Sequence, residues 1–117
     1  LAAAQGFMEA QYNLGLMYAN GQGVTQDYAE AVKWYRLAAA QGVVNAQYGL
    51  ALMYANGHGV TQDYIRAHMW FNLSGASGFE GSVKRRDIVA ELMTQEQIAQ
   101  AQKLASDCQQ SNFKGCD

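Results

Sequence analysis

Proline is absent from the 117 residues. Every chain reversal therefore falls to Gly, Asn, Asp, Ser or Thr, and the 12 glycines mark where most of them should lie. Charge is sparse, at 15% of residues, and the net charge of −2 leaves no positive surplus for the basic face that a nucleic-acid binder needs. No apolar run reaches the ~18 residues that span a bilayer, which excludes membrane insertion through such a helix. Cysteine occurs twice and histidine twice, in separate parts of the chain, so no metal site is expected. The first residue is Leu, with no basic stretch followed by an apolar run after it, so sequence upstream of Leu1 is expected. What remains is a chain that is half apolar, enough for one folded domain with a continuous core.

The chain repeats itself. Leu16 to Tyr28 returns as Leu52 to Tyr64 with a single change, Gln22 to His58. Over the full period roughly 20 of 36 positions are identical, far above chance. Trp34 returns as Trp70, Leu37 as Leu73 and Gly42 as Gly78. In the same register residues 1–6 match 37–42, as the end of a truncated upstream unit. The expected organisation is that fragment, repeats over 7–42 and 43–78, a capping helix pair over 79–109 and a tail over 110–117.

Each repeat reads as two helices. Ala10, Leu14, Met17 and Tyr18 share one helical face, as do Ala46, Leu50, Met53 and Tyr54. Asn20 to Gly23 ends the first helix, because glycine takes left-handed backbone at little cost. Asp27 with Glu30 predicts a capping box at the second helix; Asp63 keeps the cap, but Arg66 removes its acidic partner. Small residues at Gly15, Ala31, Ala38 and Ala39 predict close helix crossings. One such pair cannot bury its apolar faces alone, so neighbours must stack into an all-α solenoid of helix hairpins.

These residues resemble the Sel1-like repeat family, a relative of the tetratricopeptide repeat. Its pattern is met by Ala10, Leu14-Gly15, Tyr18, Gly21, Gly23-Val24, Asp27, Ala31, Trp34-Tyr35, Ala38-Ala39 and Gly42. The second copy departs at Ala51, Phe71 and Ser74-Gly75. The resemblance implies a right-handed superhelix that serves as a non-catalytic adaptor for protein assembly. It also implies a bacterial protein that is often exported or envelope-associated, and first helices that line a concave surface.

After Gly78 the register fades, with Arg86 where Leu14 and Leu50 stood. Ile88, Val89, Leu92 and Met93 predict a rotated apolar stripe on a helix from about Gly81 to Met93. Thr94 with Gln97 forms a capping-box pattern for a last helix, whose apolar positions are Ile98, Ala101, Leu104, Ala105 and Cys108.

Candidate chemistry is thin. Cys108 and Cys116, eight residues apart, either form a disulfide that staples the tail to the last helix or remain as a buried and an exposed thiol. A bridge implies an oxidising compartment, hence a periplasmic or secreted location. His58 and His68 have no partner at a catalytic spacing. Gly21-Gln-Gly23 and Gly57-His-Gly59 lack the Lys-Ser/Thr of a phosphate loop and read as turns. Lys84-Arg85-Arg86 reads as a solvated face or as a contact for an acidic group. No cofactor is expected.

The functional expectation rests on a second stripe about 60° round the first helices if each residue advances ~100°. It carries Tyr12, Leu16 and Asn20, repeated as Tyr48, Leu52 and Asn56. Tyrosine beside asparagine offers broad apolar contact with hydrogen bonding, suited to another protein or peptide. The alternative is that Tyr12 and Leu16 pack against a neighbouring helix. Two further readings stay open: the structural end of a longer solenoid, with a face at Leu1, Phe7 and Met8 able to form a homodimer, and a role on cell-wall or β-lactam ligands. The latter lacks a Ser-x-x-Lys, a nucleophile elbow or paired carboxylates.

Overall fold

A computed structural model describes residues 2–117, with side chains from residue 6 onward. Six helices and no strand occur among the described residues: α1 (Ala2–Asn20), α2 (Tyr28–Ala39), α3 (Val44–Asn56), α4 (Tyr64–Ala76), α5 (Glu80–Ala90) and α6 (Gln95–Gln110). Each helix packs on the next as far as α5, and α6 turns back onto α4. The first helices α1, α3 and α5 thus form one layer, and the second helices α2, α4 and α6 the other. This is an all-α helical repeat solenoid.

Side-chain size sets the spacing between the layers. Ala31, Ala38 and Ala39 of α2 are fully buried, as are Ala46, Leu50 and Ala51 of α3. The Tyr35 ring stands between α1 and α3 in a slot floored by two glycines. A Cβ added at Gly15 would lie 2.6 Å from the ring, and one at Gly49 3.1 Å from it. Burial, then the neighbouring Tyr12, pushes the Tyr35 hydroxyl up to about 12. The deepest core belongs to α4, where Trp70, Phe71, Met69 and Leu73 are all buried.

The loops between the paired helices are copies of one another. Gly21 and Gly57 take φ of 68° and 69°, ending α1 and α3. Gln26 Nε2 then donates to Ala19 O at 2.8 Å, and Gln62 Nε2 to Ala55 O at 2.9 Å. Asp27 N donates to Tyr18 O and Asp63 N to Tyr54 O, both at 2.9 Å. The repeated loop sequence thus satisfies helix-terminal carbonyls that would otherwise be left unpaired. This changes the expected capping box of α2. Asp27 Oδ1 accepts from Glu30 N at 3.2 Å, but the Asp27 backbone N–H is already bonded to Tyr18, so the reciprocal half does not form. The box of α6 is complete: Thr94 Oγ1 accepts from Gln97 N at 3.1 Å, and Gln97 Oε1 from Thr94 N at 3.0 Å.

Three further expectations are modified. Helix α1 runs unbroken through Gly6, whereas its counterpart Gly42 has φ of 87° and turns the chain. The same Ala-Ala-Ala-Gln-Gly sequence thus lies inside a helix in α1 and ends one in α2, where Gly42 N and Val43 N donate back to Ala39 O and Ala38 O. Helix α5 ends at Ala90, short of Met93, and of its expected stripe only Val89 is buried. On α6, Ala101, Ala105 and Cys108 are buried, but Leu104 is partly exposed.

The second loop is seated on the preceding helix. His58 stacks on Tyr28 with centroids 4.4 Å apart. A Cβ at Gly59 would lie 2.5 Å from Tyr28 O, while at Gly23, with the same φ of 76°, the nearest atom is Met17 Cε at 3.6 Å. We predict that Gly59→Ala costs at least about 2 kcal/mol, and Gly23→Ala only about 1 kcal/mol for the left-handed backbone. Urea denaturation of the two variants measures the difference.

Candidate functional site

The six stripe residues divide into two groups. Leu52 and Asn56 line a groove of about 260 Å³ together with Ala55, Gln62, Tyr64, Phe71, Arg85, Ile88, Val89 and Leu92. Tyr48 lies beside it: its ring meets Phe79 edge-on at 4.7 Å, and its hydroxyl accepts from Arg85 Nε at 2.7 Å. Tyr12 instead lines a separate depression with Glu9, Asn13 and residues 43–45, its ring 5.9 Å from Tyr35. Leu16 is half-buried against the core and Asn20 is exposed.

Helix α5 builds the groove. Ile88 and Leu92, expected on the rotated apolar stripe, are 60% and 62% exposed. The cause lies at two positions. Arg86 replaces the core leucine of the repeat, and its guanidinium donates to Asn72 Oδ1 at 2.9 Å and pairs with Asp87. Arg85 stands where Gly49 stood one period earlier, so the slot that takes Tyr35 has no counterpart, and Arg85 reaches out to Tyr48 instead. The sequence signal is the loss of that leucine and that glycine; the leucine alone points to a cap, and the groove follows only from both. Ser74 and Ser82, both fully buried and hydrogen-bonded to each other, fix α5 on α4.

The cysteines are bonded: Cys108 and Cys116 form a disulfide, with Cα atoms 5.3 Å apart. It returns the tail across the second-helix layer. Phe113 packs over Gly42, and the Asp117 side chain enters a site between α2, α3 and α4. There Tyr54 Oη donates to its Oδ1 at 2.7 Å, Trp70 Nε1 donates at 3.2 Å, and Arg36 pairs with Oδ2. Burial alone would lower the Arg36 pKa, but its bonds to Tyr54 and Asp117 leave it raised. The Tyr54 hydroxyl is raised by burial and by Asp117. Nothing in the repeat pattern announced this site.

His58 is exposed in its loop, and His68 is buried with Nδ1 unpaired. Among the described residues no group of three His, Cys, Asp or Glu is placed to hold a metal, and no helix is long and apolar enough to cross a membrane.

With this geometry, the family can be stated. The Sel1 repeat profile matches residues 9–43 and 44–79, and the chain belongs to the Sel1 repeat family. Proteins of this family serve in general as non-catalytic protein-interaction scaffolds. Among solved structures, the chain is similar to a protective antigen of uropathogenic Escherichia coli strains described as displaying an SLR fold. The TM-score is 0.88 at 34% identity, over 98% of this chain and 25% of that one. It is also similar to a Sel1 repeat protein from Oxalobacter formigenes, with a TM-score of 0.68 at 41% identity over 74% of this chain and 65% of the other. The chain thus spans a quarter of the antigen and about two thirds of the second protein. Comparison with curated proteins returned no significant match.

Two stability predictions follow from the buried groups. Burial, then Arg86, lowers the pKa of His68 from 6.5, with Asp87 opposing. Well above pH 6.5 His68 is neutral in both states and its contribution is complete; as the pH falls through 6.5 the unfolded chain takes up the proton first, so stability falls. Replacing it, as in His68→Gln, should flatten the denaturation midpoint between pH 7 and pH 5 relative to the parent. The double change Cys108→Ser/Cys116→Ser should lower unfolding free energy by about 2–3 kcal/mol, measured in urea without reductant.

Proposed function

We propose that the chain is a protein-interaction scaffold whose first-helix layer presents a concave surface to a segment of another protein. Leu52 and Asn56 act in it with Ile88 and Leu92, and Tyr48 with Arg85 forms its rim. Tyr12, Leu16 and Asn20 extend the surface along α1. The exposure of Ile88 and Leu92 beside polar Asn56, Gln62 and Arg85 carries this reading, since an apolar floor with a polar rim is the anatomy of a binding surface. The disulfide supports a periplasmic or extracellular location in a bacterial source. Binding rather than catalysis is the role we infer, with no nucleic acid, cofactor or metal.

A second reading concerns α1. Leu14, Met17 and Tyr18 are half-buried, while their counterparts Leu50, Met53 and Tyr54 are buried beneath α2. Phe7 on the same helix is 62% exposed. This face is suited to a further repeat of a longer solenoid, or to a second copy around Phe7 and Met8; Leu1 lies outside the described residues.

Peptides selected from a random display library on the full chain test the first reading. Those retained should lose at least about tenfold in affinity for Ile88→Asp/Leu92→Asp, and less for Tyr12→Ala. Equal binding to the parent and to the double variant rejects the groove as the site.

A further inference from the structure

The Asp117 site shares no residue with the groove and has the chemistry of a receptor for a carboxylate. Two donors from different helices, Tyr54 Oη and Trp70 Nε1, converge on one oxygen, and the Arg36 guanidinium takes the other. Arg66 Nε stands 3.8 Å from the first oxygen. The Asp117 side chain is 8% exposed. The receptor is built from the repeats themselves. Trp70 and Tyr54 are buried in the repeat core, and Arg36 Nη2 donates to Tyr54 Oη at 3.0 Å, which holds the guanidinium over the tyrosine. Beside the carboxylate a cavity of about 190 Å³ opens between Arg36, Ala40, Trp70 and the tail residues Phe113, Gly115 and Cys116.

The first repeat provides an internal comparison. Its counterparts of Tyr54 and Trp70 are Tyr18 and Trp34, and Trp34 Nε1 is buried with no hydrogen-bond partner. Where the second repeat has Arg66, the first has Glu30. The tyrosine–tryptophan pair is therefore common to both copies, and at position 30/66 the second copy carries an arginine, of the sign a carboxylate requires, where the first carries a glutamate. The departure at Arg66, which weakens nothing at the Asp63 cap, acquires a purpose here.

We propose that Arg36, Tyr54, Arg66 and Trp70 form a binding site for the aspartate side chain of a peptide segment of the tail's kind, which the tail's own Asp117 occupies and which opens when the Cys108–Cys116 bond is reduced. The reductant is a dithiol. Its thiolate attacks one Sγ, the S–S bond breaks, and its second thiol closes the dithiol into a cyclic disulfide. Two electrons pass to the protein, and Cys108 and Cys116 take up two protons as thiols. The tail is then held by Phe113, Asp117 and its noncovalent bonds to the end of α6, such as Phe113 N to Cys108 O, and exchanges with a peptide of the same chemistry.

The test uses the full chain and a fluorescein-labelled peptide of residues 111–117 carrying serine for Cys116. Fluorescence anisotropy should show no binding to the oxidised protein and saturable binding after dithiothreitol. The Cys116→Ser/Asp117→Asn protein, whose tail cannot refill the site, should bind more tightly than the reduced parent. Replacing the peptide's aspartate with asparagine, or changing the protein by Arg36→Gln, should weaken binding by at least about tenfold. Equal binding of the aspartate and asparagine peptides overturns the proposal, as does binding to the oxidised parent or no binding to either opened protein. Arg36 is half-exposed, so its substitution leaves the core intact, and a loss confined to Ile88→Asp/Leu92→Asp would assign the peptide to the groove instead.

Discussion

The ring of Tyr35 between Gly15 and Gly49 sets the distance at which α1, α2 and α3 stack. A helix crossing with no Cβ on either side lets an aromatic ring fill the gap without leaving a void, and packing at that density transmits position from one helix to the next. Because α3 is fixed in this way, Tyr54 near its end lies within reach of Arg36, and the loop after it stacks His58 on Tyr28. An additional methyl at Gly15 would meet the ring at a distance that no real contact shows, so the slot admits little variation.

The groove arises where this arrangement fails. Phe71 is the counterpart of Tyr35, but Ala51 and Arg85 replace the two glycines. An arginine cannot line a slot for a ring, and a guanidinium in an apolar crossing would be costly without partners. Arg85 instead meets the Tyr48 hydroxyl and Arg86 meets Asn72, so α5 sits on α4 with Ile88 and Leu92 left outside. The same substitution that ends the repeat stacking thereby creates an apolar surface bordered by polar groups.

On the other layer the tail closes the structure by a different chemistry. Helix α6 packs on α4 through Ala101, Ala105 and Cys108, and the disulfide turns residues 111–117 back over α2. One carboxylate then ties three helices together through an ion pair and two neutral donors. Groups that would otherwise be buried without an acceptor find one there, as the unpaired Trp34 of the first repeat does not.

The sequence by itself determined the helices of the two repeats, their small-residue crossings, the family and the capping of α6, because these depend on spacing within one helix or one loop. It pointed to the cysteine pair, since eight residues of chain bring the two sulfurs within reach. The apolar stripe through Ile88 and Leu92 was legible but its exposure was not, because periodicity reports that a helix has an apolar face, not what covers it. The roles of Gln26, Arg66 and Asp117 were likewise illegible. Each depends on an atom supplied by another element, up to 81 residues away in the case of Arg36 and Asp117. Only the tertiary structure decided which apolar residues stay in water and where the tail's charge is buried, because both follow from which helix lies against which.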